Sequence, residues 1–137
     1  MRSKGSRRRS ALAAVMLLAA APGACGGGDD SSEGGADAAI DLARGQTVYG
    51  AKCAMCHGAD LRGTTRGPSQ LSKVYEPSHH ADGAYRAAIR NGVRAHHWNF
   101  GNMPAVGGLS DDDVENVIAY IRSEQQKHGF EPYPPPN

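Results

Sequence analysis

The chain has 137 residues, of which 39% are hydrophobic, 6% aromatic and 21% charged, which leaves room for one globular domain with appendages and excludes a multidomain enzyme. With 18 glycines and 8 prolines, the apolar material for a core is thin, and a domain this small needs a staple. Arg2, Lys4, Arg7, Arg8 and Arg9 are five of the 15 basic residues, while no acidic residue precedes Asp29; the remaining body is mildly acidic and lacks the basic stripe of a nucleic-acid binder.

In chain order, the first element is a targeting segment. Met1 to Arg9 form a positive head and Ala11 to Ala21 an apolar run of 11 residues, too short to span a bilayer and followed by small residues, as in a secretory signal peptide over residues 1–24. Gly23-Ala24-Cys25 resembles the end of a bacterial lipoprotein signal, in which the cysteine is acylated and becomes the mature N-terminus. The resemblance implies a membrane anchor at Cys25, with ordinary cleavage nearby as the alternative. Residues 26–35, GGGDDSSEGG, carry no apolar side chain, so they cannot bury surface to offset the entropy of ordering. Residues 25–36 therefore read as an anchor and flexible tether. The expected location is the periplasmic or cell-surface side, at the membrane.

Cys53-Ala54-Met55-Cys56-His57 is a C-x-x-C-H sequence, the attachment signature of c-type haem. Two thiols bond the haem vinyl groups, two intervening residues set the sulfur separation, and the adjacent imidazole reaches the iron as proximal ligand. Covalent haem is also the missing staple. A thioredoxin-like dithiol would want a βαβ setting, and structural zinc a second ligand pair at regular spacing; the sequence around Cys53 offers neither. His79-His80 and His96-His97 could supply nitrogens, but neighbours in sequence rarely chelate one metal together, and each pair reads as facing solvent.

With that motif in place, residues 37–128 resemble a class I monohaem cytochrome c domain. Leu42 to Gly58 resembles the family's first helix running into the haem-binding turn, with Gly45 and Tyr49 one turn apart. Arg66-Gly67-Pro68 resembles the segment whose carbonyl accepts from the proximal histidine's second nitrogen. Asn102-Met103-Pro104 resembles the sixth-ligand loop, which implies a Met103 thioether opposite His57. The other methionines lie in the signal (Met1, Met16) or inside the attachment turn (Met55). The competing readings are that Met103 fills the core, or that one of His96, His97, His79 or His80 takes its place. Trp98 and Phe100 are expected on the haem edge or in plain loop packing.

Two further helices complete an all-α fold. Residues Asp82 to Asn91 form an internal helix with Tyr85, Ala88 and Ile89 inward. Ser110 is a good N-cap, Asp111, Asp112 and Asp113 set negative charge at the positive end of a helix dipole, and Val114, Val117, Ile118 and Ile121 recur at helical spacing up to about Gln126. Gly129 offers a stop, and residues 129–137 form a proline-rich, extended tail. The resemblance implies that the last helix crosses the first near Gly45, with Tyr49 and Tyr120 around the contact.

Iron held by His57 and Met103 has no open position for a substrate, so the function implied is not enzymatic: it is one-electron transfer in a respiratory or dehydrogenase-linked chain. Its partners would be redox proteins, a membrane oxidoreductase, dehydrogenase or oxidase, met either as a free carrier or as a docked subunit. The alternative is a haem enzyme or gas sensor with an open or displaceable sixth position.

Overall fold

Asp41 begins the first helix by accepting the Arg44 N–H at 2.9 Å, one of the donors a helix start leaves orphaned. In the computed structural model, which describes residues 39–134, this helix is α1 (Leu42–Lys52), followed by α2 (Ala54–His57), a 3-10 turn at Lys73–Tyr75, α3 (Asp82–Asn91) and α4 (Asp111–His128). The described residues contain no strand, only isolated bridges, as an all-α class I cytochrome c fold requires. The targeting segment, Cys25 and the tether lie outside the described residues.

The last helix starts on a capping box: Ser110 Oγ accepts the Asp113 N–H and the Asp113 carboxylate accepts the Ser110 N–H. It runs two residues beyond the expected end and stops at Gly129, whose φ of 76° suits glycine. Its inner face buries Val114, Val117, Ile118 and Ile121, each worth about 1.5–3 kcal/mol when fully removed from water.

The fold closes where α1 crosses α4. A β-carbon added at Gly45 would stand 2.1 Å from the Asn116 carbonyl oxygen, so only glycine permits this approach of the two backbones. Tyr49 and Tyr120 pack beside it with ring centroids 5.6 Å apart. Two polar ties brace the crossing: Asp41 N–H donates to Asn116 Oδ1 at 2.8 Å, and Arg44 Nε to Asp113 Oδ1 at 2.7 Å. Helix α3 buries Tyr85 and Ile89 and reaches α4 through the exposed pairs Arg86–Glu115 and Arg90–Asp111, each worth at most about 1 kcal/mol.

Among the described residues, the chain just beyond Gly129 is tied down. Glu131 N–H donates to Leu71 O at 2.7 Å and Lys73 N–H to Glu131 O at 2.8 Å, so the C-terminal segment clasps the loop that follows α2.

Candidate functional site: a haem cavity

Cys53 ends α1 and caps α2, so the two cysteines and His57 share the junction of these helices. The junction is held from several sides. Tyr49 Oη donates to Gly58 O at 2.9 Å, Gly63 N–H to His57 O at 2.8 Å, and Thr64 Oγ1 to Cys56 O at 2.7 Å. Leu61, buried within this loop, takes a φ of 65°, a left-handed conformation that costs a non-glycine residue about 1–3 kcal/mol and persists only where the surroundings enforce it.

Cys53, Cys56, His57 and Met103 line one cavity of about 560 Å³, within the roughly 300–1,000 Å³ range of small-molecule and cofactor sites. Ile89, Val106 and Ile121 supply apolar wall. Burial, then the neighbouring Cys56, pushes the Cys53 thiol up to about 11. That is opposite to the depressed value of a nucleophilic redox dithiol, and no disulfide joins Cys53 to Cys56.

The His57 ring is buried, and burial holds it below its ordinary value, opposed by the hydrogen bond to Pro68. Its Nδ1 lies 2.9 Å from Pro68 O, the segment the sequence singled out. The same Nδ1 lies 2.9 Å from the Gln70 amide. These contacts use opposite tautomers: donation to Pro68 leaves Nε2 with a free lone pair, whereas acceptance from Gln70 puts the proton on Nε2. Ligation of an iron through Nε2 would require the first, with the backbone carbonyl orienting the ring.

Met103 reaches the cavity from the loop after α3. Val93 N–H donates to Met103 O at 2.9 Å and Met103 N–H to Val93 O at 3.0 Å. Gly92, at φ 74°, lets this pairing form, since a β-carbon there would stand 2.5 Å from Met103 O. Trp98 and Phe100 line the cavity, Trp98 stacked on Tyr75 at 5.6 Å and 21°. His80, His96 and His97 stand on the same wall.

A polar network behind His57 was not anticipated from sequence. Gln70 Oε1 accepts from Tyr85 Oη at 3.0 Å, and Gln125 Nε2 donates to Gln70 O at 2.7 Å and Tyr85 Oη at 3.1 Å. Arg122 donates to Gln125 Oε1, Tyr75 O and His80 O, its guanidinium 4.9 Å over the Tyr85 ring. The signal was present: Gln125 lies four residues after Ile121, continuing the apolar stripe of α4.

The donor set, the cavity and the imidazole beside the cysteines all fit haem c, which Cys53 and Cys56 would hold with His57 as a ligand to its iron. Residues 42–125 match the cytochrome c family. Cytochrome c-555 of Chlorobaculum thiosulfatiphilum is 34% identical over 84 residues, covering 59% of this chain and 93% of that protein. Cytochrome c-555 of Prosthecochloris aestuarii is 35% identical over 98 residues, covering 61% of this chain and 88% of its own. Cytochrome c6 of Synechocystis is 29% identical over 95 residues, covering 69% and 74%. With C-x-x-C-H at the junction of α1 and α2 and the match spanning α1 into α4, the chain belongs to the cytochrome c family, as a class I monohaem electron carrier with one covalently bound haem c.

Proposed function

We propose that this protein is an extracytoplasmic one-electron carrier whose iron is held between His57 and Met103, working in a respiratory or dehydrogenase-linked chain from a lipid anchor on Cys25. The observation that carries the ligand reading is that Met103 lines the cavity of His57 on a loop pinned by two backbone hydrogen bonds to Val93. Haem c, when bound, supplies one-electron exchange at its iron. The chain's residues set the terms of that exchange: the Pro68 carbonyl fixes the ligating tautomer of His57, and the Met103 thioether favours reduced iron relative to a second imidazole. The apolar wall of Ile89, Val106 and Ile121 keeps water from the centre.

Partners would dock through apolar side chains exposed at the attachment turn and at the cavity. Met55, between the two cysteines, is 68% exposed, and Phe100, on the cavity wall, is 42% exposed. Such a patch suits the small, transient contacts of redox partners. A glycine-rich tether after a lipid on Cys25 would hold the domain near membrane oxidoreductases at high effective concentration.

The test is the optical spectrum of the haem-loaded protein in both redox states, with carbon monoxide added to the reduced form. The expected result is a sulfur-to-iron charge-transfer band when oxidised, lost in Met103→Ala, and no reaction with carbon monoxide. A missing band with immediate carbon monoxide binding would overturn the carrier reading in favour of a haem enzyme or gas sensor.

A further inference from the structure

The two histidine pairs, far apart in sequence, converge at the cavity rim. His79 and His97 bring their Nε2 atoms to 3.3 Å. The ligand nitrogens of His79, His80 and His97 all lie within 4.8 Å of one another, and the His96 ring centroid stands 4.3 Å from that of His97. Three of these rings line the haem cavity, but on the reading proposed above, with His57 and Met103 on the iron, none of the four is needed as a haem ligand.

We propose that His79, His80 and His97, with His96 as an additional donor, form a second metal site, for a borderline divalent transition-metal ion of which Zn²⁺ is the geometric match. Tetrahedral zinc with Zn–N bonds of about 2.0–2.1 Å sets its ligand nitrogens about 3.3–3.4 Å apart, and the His79–His97 pair already stands at that separation. The remaining separations, at most 4.8 Å, close by rotation of rings that are half-buried or exposed.

Orientation supports the same conclusion. His80 Nδ1 lies 2.7 Å from Val74 O and His96 Nδ1 2.8 Å from Arg94 O. A carbonyl only accepts, so both rings carry a proton on Nδ1, and in the neutral form leave Nε2 as the lone pair, the arrangement by which a ligating histidine is held through its other nitrogen. Three imidazole ligands without a thiolate suit zinc, copper or nickel and not calcium or magnesium. The His80 position is itself fixed from behind, because Arg122 of α4 donates to the His80 carbonyl.

The experiment is calorimetric titration of the reduced, haem-loaded full chain with Zn²⁺, alongside His79→Ala, His97→Ala and, as a control on an unrelated surface histidine, His128→Ala. One equivalent should bind saturably. Loss of an outer partner of a ligand weakens metal affinity by about 10–100-fold, so loss of a ligand itself should weaken it at least about 100-fold in His79→Ala and His97→Ala, with His128→Ala unchanged. Imidazole nitrogen resonances of His79, His80 and His97 should shift on zinc addition while those of His57 stay in place. His79 is exposed and its variant keeps the fold, which an unchanged haem spectrum verifies. Absence of one-equivalent binding, or affinity indifferent to both cluster substitutions, overturns the proposal, as does a shift confined to His57 or His128.

Discussion

Gly45 and Gly50 lie in the same helix, and a methyl group on each should move stability in opposite directions. An alanine in place of glycine within a helix gains up to about 1 kcal/mol in propensity. At Gly50 nothing lies within 4 Å of the added β-carbon, so Gly50→Ala should be stabilising by about 0.5–1 kcal/mol. At Gly45 the same atom meets Asn116 O at 2.1 Å, Asn116 C at 2.7 Å and Tyr120 Cβ at 2.8 Å. Two of these are backbone atoms that no rotamer can move, so α1 and α4 must part by about 1 Å, loosening Asp41–Asn116 and Arg44–Asp113. Overpacking of this kind costs about 1–3 kcal/mol, and the unyielding contact puts it at the upper end; net of propensity, Gly45→Ala should be about 2 kcal/mol less stable. Guanidinium unfolding of the haem-loaded proteins, followed by far-ultraviolet circular dichroism, measures both. In heat the same difference is about 8–16 °C of Tm for a domain this size. A Gly45→Ala variant as stable as Gly50→Ala would refute the idea that backbone approach at this crossing requires glycine.

Three further outcomes are expected. The Arg44 guanidinium, then the Ser110 contacts, holds the Asp113 carboxyl below its ordinary value of 3.8 against the opposing effect of desolvation; its contribution is present above that value and lost as pH falls through the lower folded one. The stability gap between the parent and Asp113→Asn should therefore be constant near neutrality and close in acid, as urea titrations at stepped pH would show; a gap that widens in acid contradicts the assignment. Gln125→Leu leaves the Gln70 carbonyl unpaired in the core and should cost about 2–3 kcal/mol, whereas the exposed Gln126→Leu should fall within about 0.5 kcal/mol of the parent, both read by denaturant midpoint. Met103→His should keep six-coordinate iron but lower the reduction potential in spectroelectrochemical titration, because a thioether favours reduced iron more than imidazole does; an unchanged potential would remove Met103 from the iron.

What sequence could reveal followed from how local each cause is. The C-x-x-C-H run, the Ser110 cap with its three aspartates, and the bounds of α3 depend on neighbours within a turn, and the structure has them where periodicity and capping put them. The last helix runs to His128, two residues further than the apolar stripe suggested, because Gly129 and not the stripe ends it. Pro68 was legible through resemblance and is found on His57 Nδ1. Gln70 and Gln125 were not: a glutamine carries no pattern of its own, and only the fold brings the two within hydrogen-bonding distance. The histidine pairs show the same limit more sharply. Each pair taken alone looked like solvated surface, and their meeting depends on two loops folding to one rim. The signal segment and Cys25 lie outside the described residues, so their reading rests on sequence alone.

The crossing of α1 and α4 also sets a schedule. Arg44 and Asp113 are 69 residues apart in sequence, so the core cannot close until the last helix has been made, about 3–14 s after the first at roughly 5–20 residues per second. Through that interval α1 has no partner to bury Val48 and Tyr49, and Cys53 and Cys56 at its end are not yet enclosed. A fold that joins its first and last long helices late thus gives the cofactor its opportunity before the cavity is built around it.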